Sequence, residues 1–331
     1  MNKKAIALFS GGLDSVLAAK IISDQGIEIH AVNFVMEFAS RDIENHKKRI
    51  TETIRQIGLV PEFIDISKEY LGLLDNPSYG FGANINPCID CKIFMLKKAK
   101  ELLPKRNASF VITGEVLGER PMSQRRDALD AIENKSGLKG YLLRPLSAKL
   151  LKPTIPEDEG IVNRDGLLDI RGRSRKPQLS LAEKFGIKKF FTPAGGCLLT
   201  DPGFSRRLKD LIMYDSVNLD DIRMLKHGRH FRFRNNAKFI LGRDKEDNSH
   251  ILKLRKDGDL MFAPDGYPGP IGILRGSKDS DLVNLSAEIL VSYANKKNQD
   301  EALVKYWILP QKMERLLAKS AQRKEIENTR I

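Results

Sequence analysis

Six consecutive residues near the start of the chain have the composition of a phosphate-binding turn. SGGLDS at residues 10–15 follows the short apolar run at 5–9 and precedes the helix-like run VLAAKII. Glycines let the backbone turn sharply, and the first turn of a helix offers free N–H groups and the positive end of its dipole to a phosphate. The two serines add hydroxyl donors, and Asp14 can help to hold Mg²⁺. The loop is neither a Walker A sequence nor a GxGxxG dinucleotide pattern.

The three cysteines are the second feature that could carry chemistry. Cys88 and Cys91 lie in NPCIDCK, before an amphipathic run, and Cys197 lies in TPAGGCLLTD. We expect the first two to face one point at a helix start, where the helix dipole and the adjacent lysine favour thiolates. Two glycines before Cys197 are expected to leave its sulfur accessible. Such a sparse, odd set indicates metal or sulfur chemistry rather than a disulfide framework, and His227 and His230 stay open as the completing ligands of a zinc site.

The surrounding pattern must position these residues. Short apolar runs at 5–9, 27–34, 62–66 and 110–112 read as strands, and they alternate with helical patterns such as the one that ends at Gly58. This alternation predicts an α/β fold in which a parallel sheet is covered by helices on both faces and binds its ligand at the carboxyl ends of the strands. Beyond residue 201, short alternating runs with turn signals predict a smaller α+β domain, followed by helices at 281–296 and 311–327. We expect a catalytic domain over residues 1–205 and a basic domain over 206–331.

Charge is concentrated in the second half of the chain. The sequence has 56 Lys+Arg and 43 Asp+Glu, a formal charge of +13, of which residues 1–170 carry +1 and residues 171–331 carry +12. Such an excess favours a polyanionic partner, most often nucleic acid. The densest cluster, RGRSRKPQ, is expected to contact RNA phosphates, with a solvated loop as the alternative. Its basic residues are Arg171, Arg173, Arg175 and Lys176.

Two further patterns limit the classes of protein to which the chain can belong. No stretch approaches the roughly 20 apolar residues of a transmembrane helix, and the apolar run at 5–9 is shorter than that of a signal peptide. We therefore expect a cytoplasmic protein with no membrane partner. In GRHFRFR, strand alternation favours core packing of Phe231 and Phe233 over stacking on bases.

The loop SGGLDS at the end of the first strand resembles the PP-loop of the ATP pyrophosphatase superfamily. That resemblance implies a Rossmann-like fold of the HUP (adenine nucleotide α hydrolase-like) type, ATP with Mg²⁺ as cofactors, and transfer of AMP onto an oxygen. The segment VITGEVLGERPMSQ at 111–124 is similar to the strand-end Thr-Gly of the tRNA thiouridylases. The nucleotide-binding residues implied are Ser10, Gly11, Gly12, Asp14, Ser15, Asn33, Phe34, Thr113 and Gly114.

Combined with this loop, the cysteines resemble those of the tRNA-thiolating branch, which comprises 2-thiouridylases, 4-thiouridine synthetases and their archaeal-type relatives. The resemblance implies catalytic roles for Cys91 and Cys197, beside Asp14. In the CxxC type of the family three cysteines ligate a [4Fe-4S] cluster, which here implies Cys88, Cys91 and Cys197. Members with two cysteines use a persulfide and a disulfide instead. The count of three favours the cluster, and the persulfide route without a cluster stays open.

The basic half resembles the NFACT-R domain, an RNA-binding module of ribosome-associated proteins. The likeness lies in FILGRDKEDNSHILKL and DGDLMFAPDGYPGP, where Pro264 stands at a position that the family gives to histidine. It implies a general RNA-docking role, with Arg243 as an RNA contact. The residues that carry the likeness are Gly242, Arg243, Asn248, Asp259 and the turn at 268–269.

These features together predict ATP-dependent tRNA thiolation, in which a uridine carbonyl oxygen is adenylated and then replaced by sulfur to give thiouridine. Adenylation turns a poor leaving group into AMP, which sulfur can displace. The expected partners are tRNA and a sulfur donor, either sulfide or a persulfide carrier, and a homodimer stays open. Two other functions stay open as well: a PP-loop ligase that transfers nitrogen, and an RNA- or ribosome-binding factor with a vestigial PP-loop.

Overall fold

The computed structural model describes residues 2–191, 197–295, 301–308 and 313–331. Contacts within the chain divide it into two compact units, Met1–Thr200 and Asp201–Ile331. None of the helices in the described ranges combines the length and apolar character that crossing a membrane requires.

The first unit is built on five parallel strands. The strands are β1 (Lys4–Leu8), β2 (Glu28–Val35), β3 (Pro61–Asp65), β4 (Phe110–Thr113) and β5 (Leu142–Leu143). The helices are α1 (Leu13–Ser23), α2 (Ile43–Arg55), α3 (Ser67–Tyr70), α4 (Cys88–Lys105), α5 (Arg126–Ser136), α6 (Ile155–Asp158) and α7 (Lys176–Lys184). The strand order is β3-β2-β1-β4-β5. This confirms the α/β fold with a parallel sheet that the alternating pattern predicted.

Burial explains why the central elements form where they do. Ala5 and Ala7 of β1 belong to one apolar cluster with residues of α1 and α2, while α4 packs against β1 and β4. Successive side chains of a strand point to opposite faces, so Ile6, also fully buried, points away from that cluster. Helices therefore cover both faces of the sheet. Most of α1 is buried, which is why it reads as an apolar run without a polar stripe.

Among its described residues, the second unit has six strands, which pair antiparallel. They are β6 (Arg229–Arg232), β7 (Lys238–Leu241), β8 (Leu260–Pro264), β9 (Gly272–Arg275), β10 (Glu301–Trp307) and β11 (Glu314–Lys319). The helices are α8 (Pro202–Tyr214), α9 (Leu219–Leu225), α10 (Lys245–Lys253), α11 (Ser280–Tyr293) and α12 (Arg323–Thr329). The strand order is β11-β10-β8-β9-β7-β6. This confirms the predicted α+β class of the C-terminal part.

The helix expected at 311–327 is wrong over most of its length. Within that range the structure places β11 over Glu314–Lys319, and α12 begins only at Arg323. β11 pairs antiparallel with β10, opposite residues including Leu303 and Leu317. The charged and apolar residues of this segment fit a helical stripe as well as a strand, and the cross-strand pairing decides between them.

The motif residues of the basic half hold its turns together. A Cβ on Gly242 would lie 2.0 Å from the Asn248 side-chain oxygen, and that oxygen accepts a hydrogen bond from the backbone of Ile271 at 3.0 Å. Asp259 receives two hydrogen bonds from Arg275, at 2.9 and 2.8 Å. Phe231 and Phe233 lie in the core of this unit, which confirms core packing and excludes them as exposed stacking platforms.

Candidate nucleotide and cysteine site

The SGGLDS loop joins the end of β1 to the start of α1. Gly11 has φ +79°, and a Cβ there would lie 2.8 Å from the Phe191 ring, so both the backbone angle and the packing require glycine. Gly12 precedes α1, and no side chain among the described residues caps the helix there. Ser15 donates from its hydroxyl to the Gly12 carbonyl at 2.8 Å. The first turn of α1 thus presents its N–H groups to a ligand, as a phosphate site requires.

Gly114, directly after β4, packs against the backbone of this loop. A Cβ on Gly114 would lie 2.4 Å from the carbonyl carbon of Asp14 and 2.5 Å from the amide nitrogen of Ser15. Only glycine permits such a close approach of two backbones. Thr113, before it, donates from its hydroxyl to Glu115 at 3.1 Å. The Thr-Gly pair and the loop, which lie about 100 residues apart in sequence, are therefore in direct contact.

Four polar side chains beside the loop have buried atoms without a hydrogen-bond partner among the described residues. Asp14 Oδ1, Glu119 Oε2, Arg175 Nε and both amide atoms of Gln178 have no hydrogen-bond partner among the described residues. Gln178 is 0% exposed. Burying a polar group without a partner costs about 1–3 kcal/mol, so a cluster of five such atoms is the arrangement of a site that a ligand completes.

The pKa values of both carboxyl groups in this cluster are raised. Burial raises the pKa of the Asp14 carboxyl above its ordinary value, and the positive charges of Arg175 and Arg120 offset this only in part. Burial also raises the pKa of Glu119, and the neighbouring Asp14 carboxylate adds to that rise. A cation between the two carboxylates would relieve both effects, since a nearby positive charge favours the ionised form. Asp14 and Glu119 therefore fit a divalent metal ion in donor type and in charge.

A buried ion-pair network connects the segment after Gly114 to the helix that carries two cysteines. Arg144, 3% exposed in its side chain, donates to Glu115 at 3.0 Å and to Glu133 at 2.9 Å. Lys92 of α4 lies 3.7 Å from the other Glu115 oxygen. Burial would raise the pKa of Glu115, but Lys92 and Arg144 hold it below its ordinary value. The network fixes the start of α4 relative to the Thr-Gly segment.

All three cysteines lie near enough to the buried Tyr70 to act on the pKa of its hydroxyl. Cys88 and Cys91 occupy the first turn of α4, where the Cys91 amide donates to the Pro87 carbonyl at 2.8 Å. Cys197 belongs to a separate segment. The amide of the next residue, Leu198, donates to the carbonyl of Phe38, which follows β2, at 2.8 Å. Tyr70 is fully buried, and its pKa is raised by burial and then by all three cysteines. All three thiols are free and half-buried.

The expectation that the helix start favours thiolates is wrong for the protein without a ligand. Burial raises the pKa of Cys91 to about 11 and that of Cys197 to about 12, and it raises that of Cys88 as well. Lys92 lowers the pKa of Cys88 and of Cys91, but by less than burial raises it. The glycines expected to expose Cys197 lie outside the described residues. Metal binding would have to displace the thiol protons, because thiolate is the ligating form.

The positive charge of Arg120 acts on both the loop and one cysteine, because it lowers the pKa of Asp14 and also that of Cys88. The donor set of three thiols fits a cluster held by three cysteines in kind and in number. Among the described residues no group of three histidine, cysteine or acidic side chains is arranged to hold a metal ion.

Other predicted site residues have different surroundings. Asn33 is buried, and its amide donates to the Phe9 carbonyl at 2.7 Å, which ties β2 to the end of β1, while Phe34 is buried beside it. Arg171, Arg173 and Lys176 are exposed. Arg175 has a buried, unpaired Nε, and its charge acts on Asp14; RNA contact by these four residues stays a prediction.

Arg243 is a further predicted RNA contact, and it lies in the second unit. Its guanidinium forms two hydrogen bonds with Asp247, at 2.5 and 3.0 Å, and the side chain is 38% exposed. The pair joins Arg243, two residues before α10, to the first turn of that helix. RNA contact by Arg243 stays a prediction.

Sequence reasoning missed Glu119, Gln178 and Tyr70. Glu119 lies inside the quoted VITGEVLGERPMSQ segment, so its place after the Thr-Gly pair was the available signal. Gln178 closes the basic cluster RGRSRKPQ, where a buried amide at the start of a helix is not visible from composition. Tyr70 lies in a short helix with no motif, and only the fold brings it to the cysteines.

Comparison with known proteins identifies two segments of the chain. Residues 1–153 match the family described as thiamine biosynthesis protein (ThiI), and residues 228–330 match the NFACT protein RNA binding domain. The tRNA-specific 2-thiouridylase MnmA 2 of Fusobacterium nucleatum subsp. nucleatum is 30% identical over 118 residues, which are 34% of this chain and 33% of the relative. The chain spans about a third of the length of the curated relatives that it matches.

Solved structures give looser likenesses. A 4-thiouridine synthetase–RNA complex with bound ATP aligns at 21% identity and a TM-score of 0.36, covering 55% of this chain and 49% of that one. The U34-tRNA thiolase NcsA from Methanococcus maripaludis with its [4Fe-4S] cluster aligns at 15% identity and a TM-score of 0.30, covering 67% and 69%. The matches of residues 1–153 to the ThiI family and of residues 228–330 to the NFACT RNA-binding domain confirm both resemblances that the motifs indicated.

Proposed function

We propose that this protein is an ATP-dependent tRNA sulfurtransferase, which adenylates a uridine carbonyl oxygen and replaces it with sulfur. The carrying observation is that one segment joins the two centres: a Cβ on Gly114 would lie 2.4 Å from the Asp14 carbonyl carbon, and Glu115 lies 3.7 Å from Lys92, the residue after Cys91. A nucleotide loop and a sulfur centre held by one segment are what a two-step reaction at one carbon requires. A ligase that transfers nitrogen gives the three cysteines no role.

The nucleotide part of this proposal assigns MgATP to the loop and to the unpaired cluster. The N–H groups at the start of α1 would hold the pyrophosphate, and Arg175 would complete its binding through the unpaired Nε. Asp14 and Glu119 would hold Mg²⁺, which neutralises charge on the departing pyrophosphate. The pyrophosphate leaves as AMP is joined to the uracil oxygen.

The sulfur part assigns Cys88, Cys91 and Cys197 to a [4Fe-4S] cluster with one iron free of protein ligands. When bound, the cluster would take up sulfur from sulfide or a persulfide carrier. The chain's own contribution is to place the thiols near the buried Tyr70 and to limit the water around them, since all three are half-buried. Cys91 or Cys197 as a persulfide carrier is the second route that the same residues support.

Incubation with tRNA, ATP, Mg²⁺ and sulfide tests the proposal directly. We expect thiouridine in the digested tRNA by mass spectrometry, together with one AMP per thiouridine formed. Binding of tRNA without AMP release or thiouridine, under anaerobic conditions and with iron present, would instead support an RNA-binding factor with a vestigial loop.

Replacing Asp14 with asparagine should make the protein more stable while it weakens MgATP binding. Because the folded-state pKa of Asp14 is raised, the folded chain carries a costly buried charge above that pKa, whereas the unfolded chain carries it at no cost. At pH 7.5 we expect Asp14→Asn to gain on the order of 1 kcal/mol, about 2–4 °C in Tm. Below the ordinary aspartate pKa both states are protonated and the gain should vanish.

Thermal unfolding of the ligand-free protein between pH 3.5 and 8 measures this dependence. The matched control is Asp130→Asn, at an exposed position of α5, which should change Tm at no pH. If Asp14→Asn instead lowers Tm at pH 7.5, partners within the protein stabilise the carboxylate. That result would contradict the inference that the unpaired cluster beside the loop is a ligand site.

The exposed basic residues before and within α7 should contribute to RNA affinity through phosphate contacts. Each phosphate neutralised contributes about 0.7–0.9 to the slope of log K against log salt. We expect Arg173→Ala with Lys176→Ala to flatten the slope for tRNA by about 1.5 in filter-binding titrations. Lys68→Ala with Lys105→Ala, also exposed and of equal charge change, should leave the slope unaltered. Equal slopes for both double variants would assign the cluster to the solvated surface.

A further inference from the structure

Two aromatic side chains are exposed in the loop that leads into the cysteine-bearing helix α4. Tyr79 is 37% exposed and Phe81 is 44% exposed, and neither belongs to the nucleotide loop or to the cysteine group. Surface apolar residues that are scattered singly need no explanation, whereas two large rings so close together in one loop indicate a contact surface. We call residues 77–86 the aromatic loop.

A buried carboxylate ties the first part of the aromatic loop to the cysteines. Asp90 is 7% exposed and lies in the first turn of α4, between Cys88 and Cys91. Its two carboxylate oxygens accept hydrogen bonds from the backbone N–H groups of Ser78 and Tyr79, each at 3.0 Å. The backbone that carries the first exposed ring is therefore fixed to the helical turn that carries two of the thiols.

The second part of the aromatic loop is tied to the segment of the third cysteine. The Asn84 side-chain amide donates to the Thr200 carbonyl at 2.8 Å. Thr200 in turn donates to the Cys197 carbonyl, from its backbone amide at 2.9 Å and from its hydroxyl at 2.7 Å. Between these two attachments, a Cβ on Gly82 would lie 2.6 Å from the Met122 sulfur, so the loop also packs on the segment after β4. The loop thus contacts both cysteine segments.

Positive charge lies beside this loop and favours a polyanionic partner. Arg120 is exposed and belongs to the segment on which Gly82 packs. Arg120 and Lys92 both lower the pKa of Cys88, so both cations act close to the thiol group. Exposed rings accompanied by cations are the surface with which proteins bind single-stranded nucleic acid, because bases stack on the rings while phosphates contact the cations.

We propose that Tyr79 and Phe81 form a platform on which an unpaired base of the tRNA stacks, next to the uridine that reacts. A base must leave the helical stack before its carbonyl carbon can reach an enzyme's reactive group, and its neighbour then gains from a new stacking surface. Rings on a loop that is tied at both ends supply that surface at little cost in ordering. Every base has a π-face, so the platform holds the strand without selecting a base. This inference rests on the proposed function and adds residues that hold the substrate strand.

Two double variants of the full chain separate stacking from simple apolar contact. Tyr79→Leu with Phe81→Leu keeps large apolar side chains and removes both rings, whereas Tyr79→Phe with Phe81→Tyr keeps both rings. In filter-binding titrations we expect the leucine variant to bind tRNA about tenfold more weakly and the exchange variant to stay within about twofold of the unaltered protein. Tyr141→Leu is the matched control and should keep full affinity. Tyr141 is also 37% exposed, but it precedes β5, at the opposite edge of the parallel sheet.

Each outcome decides for or against the platform. Undiminished tRNA affinity of the leucine variant overturns it, and so does equal weakening by both double variants, which would assign the effect to the shape of the loop. A leucine variant that binds tRNA normally, and loses thiolation only when a persulfide carrier protein supplies the sulfur, overturns it in favour of a protein contact. Thiouridine formation with affinity that does not depend on the rings refutes the platform alone. Ring-dependent tRNA binding without AMP release or thiouridine refutes the proposed function and leaves the platform.

Discussion

Replacing Cys91 or Cys197 with alanine is expected to lower thiouridine formation by at least about a thousandfold, the scale seen when a covalent nucleophile is removed. Both thiols lie beside Tyr70, and in either sulfur mechanism both are required. Binding of ATP should persist, because none of its proposed ligands is a cysteine. The measurement pairs nucleoside mass spectrometry of tRNA with an ATP-binding titration of the same preparation.

Cys88→Ala separates the two sulfur mechanisms. If three cysteines hold a cluster, anaerobically purified protein should be brown with about four irons per chain, and Cys88→Ala should lose both iron and thiolation. If Cys91 and Cys197 act as a persulfide pair, Cys88→Ala should retain thiolation without iron. Full thiolation by Cys91→Ala or Cys197→Ala would remove the sulfur role from this centre altogether.

Local patterns were enough to predict the parallel sheet. The apolar runs of β1 and β2 lie deep in the first unit, and burial on both faces is what makes such strands read as unbroken apolar stretches. The segment of β11 shows the limit of this reasoning, since Glu314–Lys319 is a strand only because β10 pairs with it. Partners that lie 8 to 18 positions away, from Tyr306 opposite Glu314 to Glu301 opposite Lys319, decide that outcome, and no local period records it.

The features of the site also divide into those that local sequence predicts and those that only the fold determines. Glycine and cysteine spacing mark the loop and the sulfur centre, because those chemistries need particular residue types. The pKa values of the cysteines could not be read in this manner, since the helix start and Lys92 favour thiolates while burial by distant residues, Tyr70 among them, opposes them. Arg175 is similar: its position in a basic run indicated RNA, and only the fold shows that its charge acts on Asp14.

Gly114→Ala should disable nucleotide binding through sterics alone. The added Cβ would lie 2.4 Å from the Asp14 carbonyl carbon, about 1 Å inside the closest ordinary contact, and the atoms it meets are backbone atoms. Either β4 or the SGGLDS loop must therefore move by about 1 Å, and a displacement of that size at a catalytic group costs on the order of a hundredfold. We also expect a loss of about 1–3 kcal/mol in unfolding free energy, as for other overpacked positions.

Gly72→Ala is the matched control, because a Cβ at Gly72 would meet no atom within 4 Å. Neither glycine has a φ in the left-handed region, so the two substitutions differ in packing and not in backbone strain. We expect Gly72→Ala to keep the ATP affinity and the Tm of the unaltered protein. An ATP affinity that survives Gly114→Ala would mean that the loop can shift by 1 Å and still bind nucleotide, and the contact between β4 and the loop would then have no part in positioning ATP.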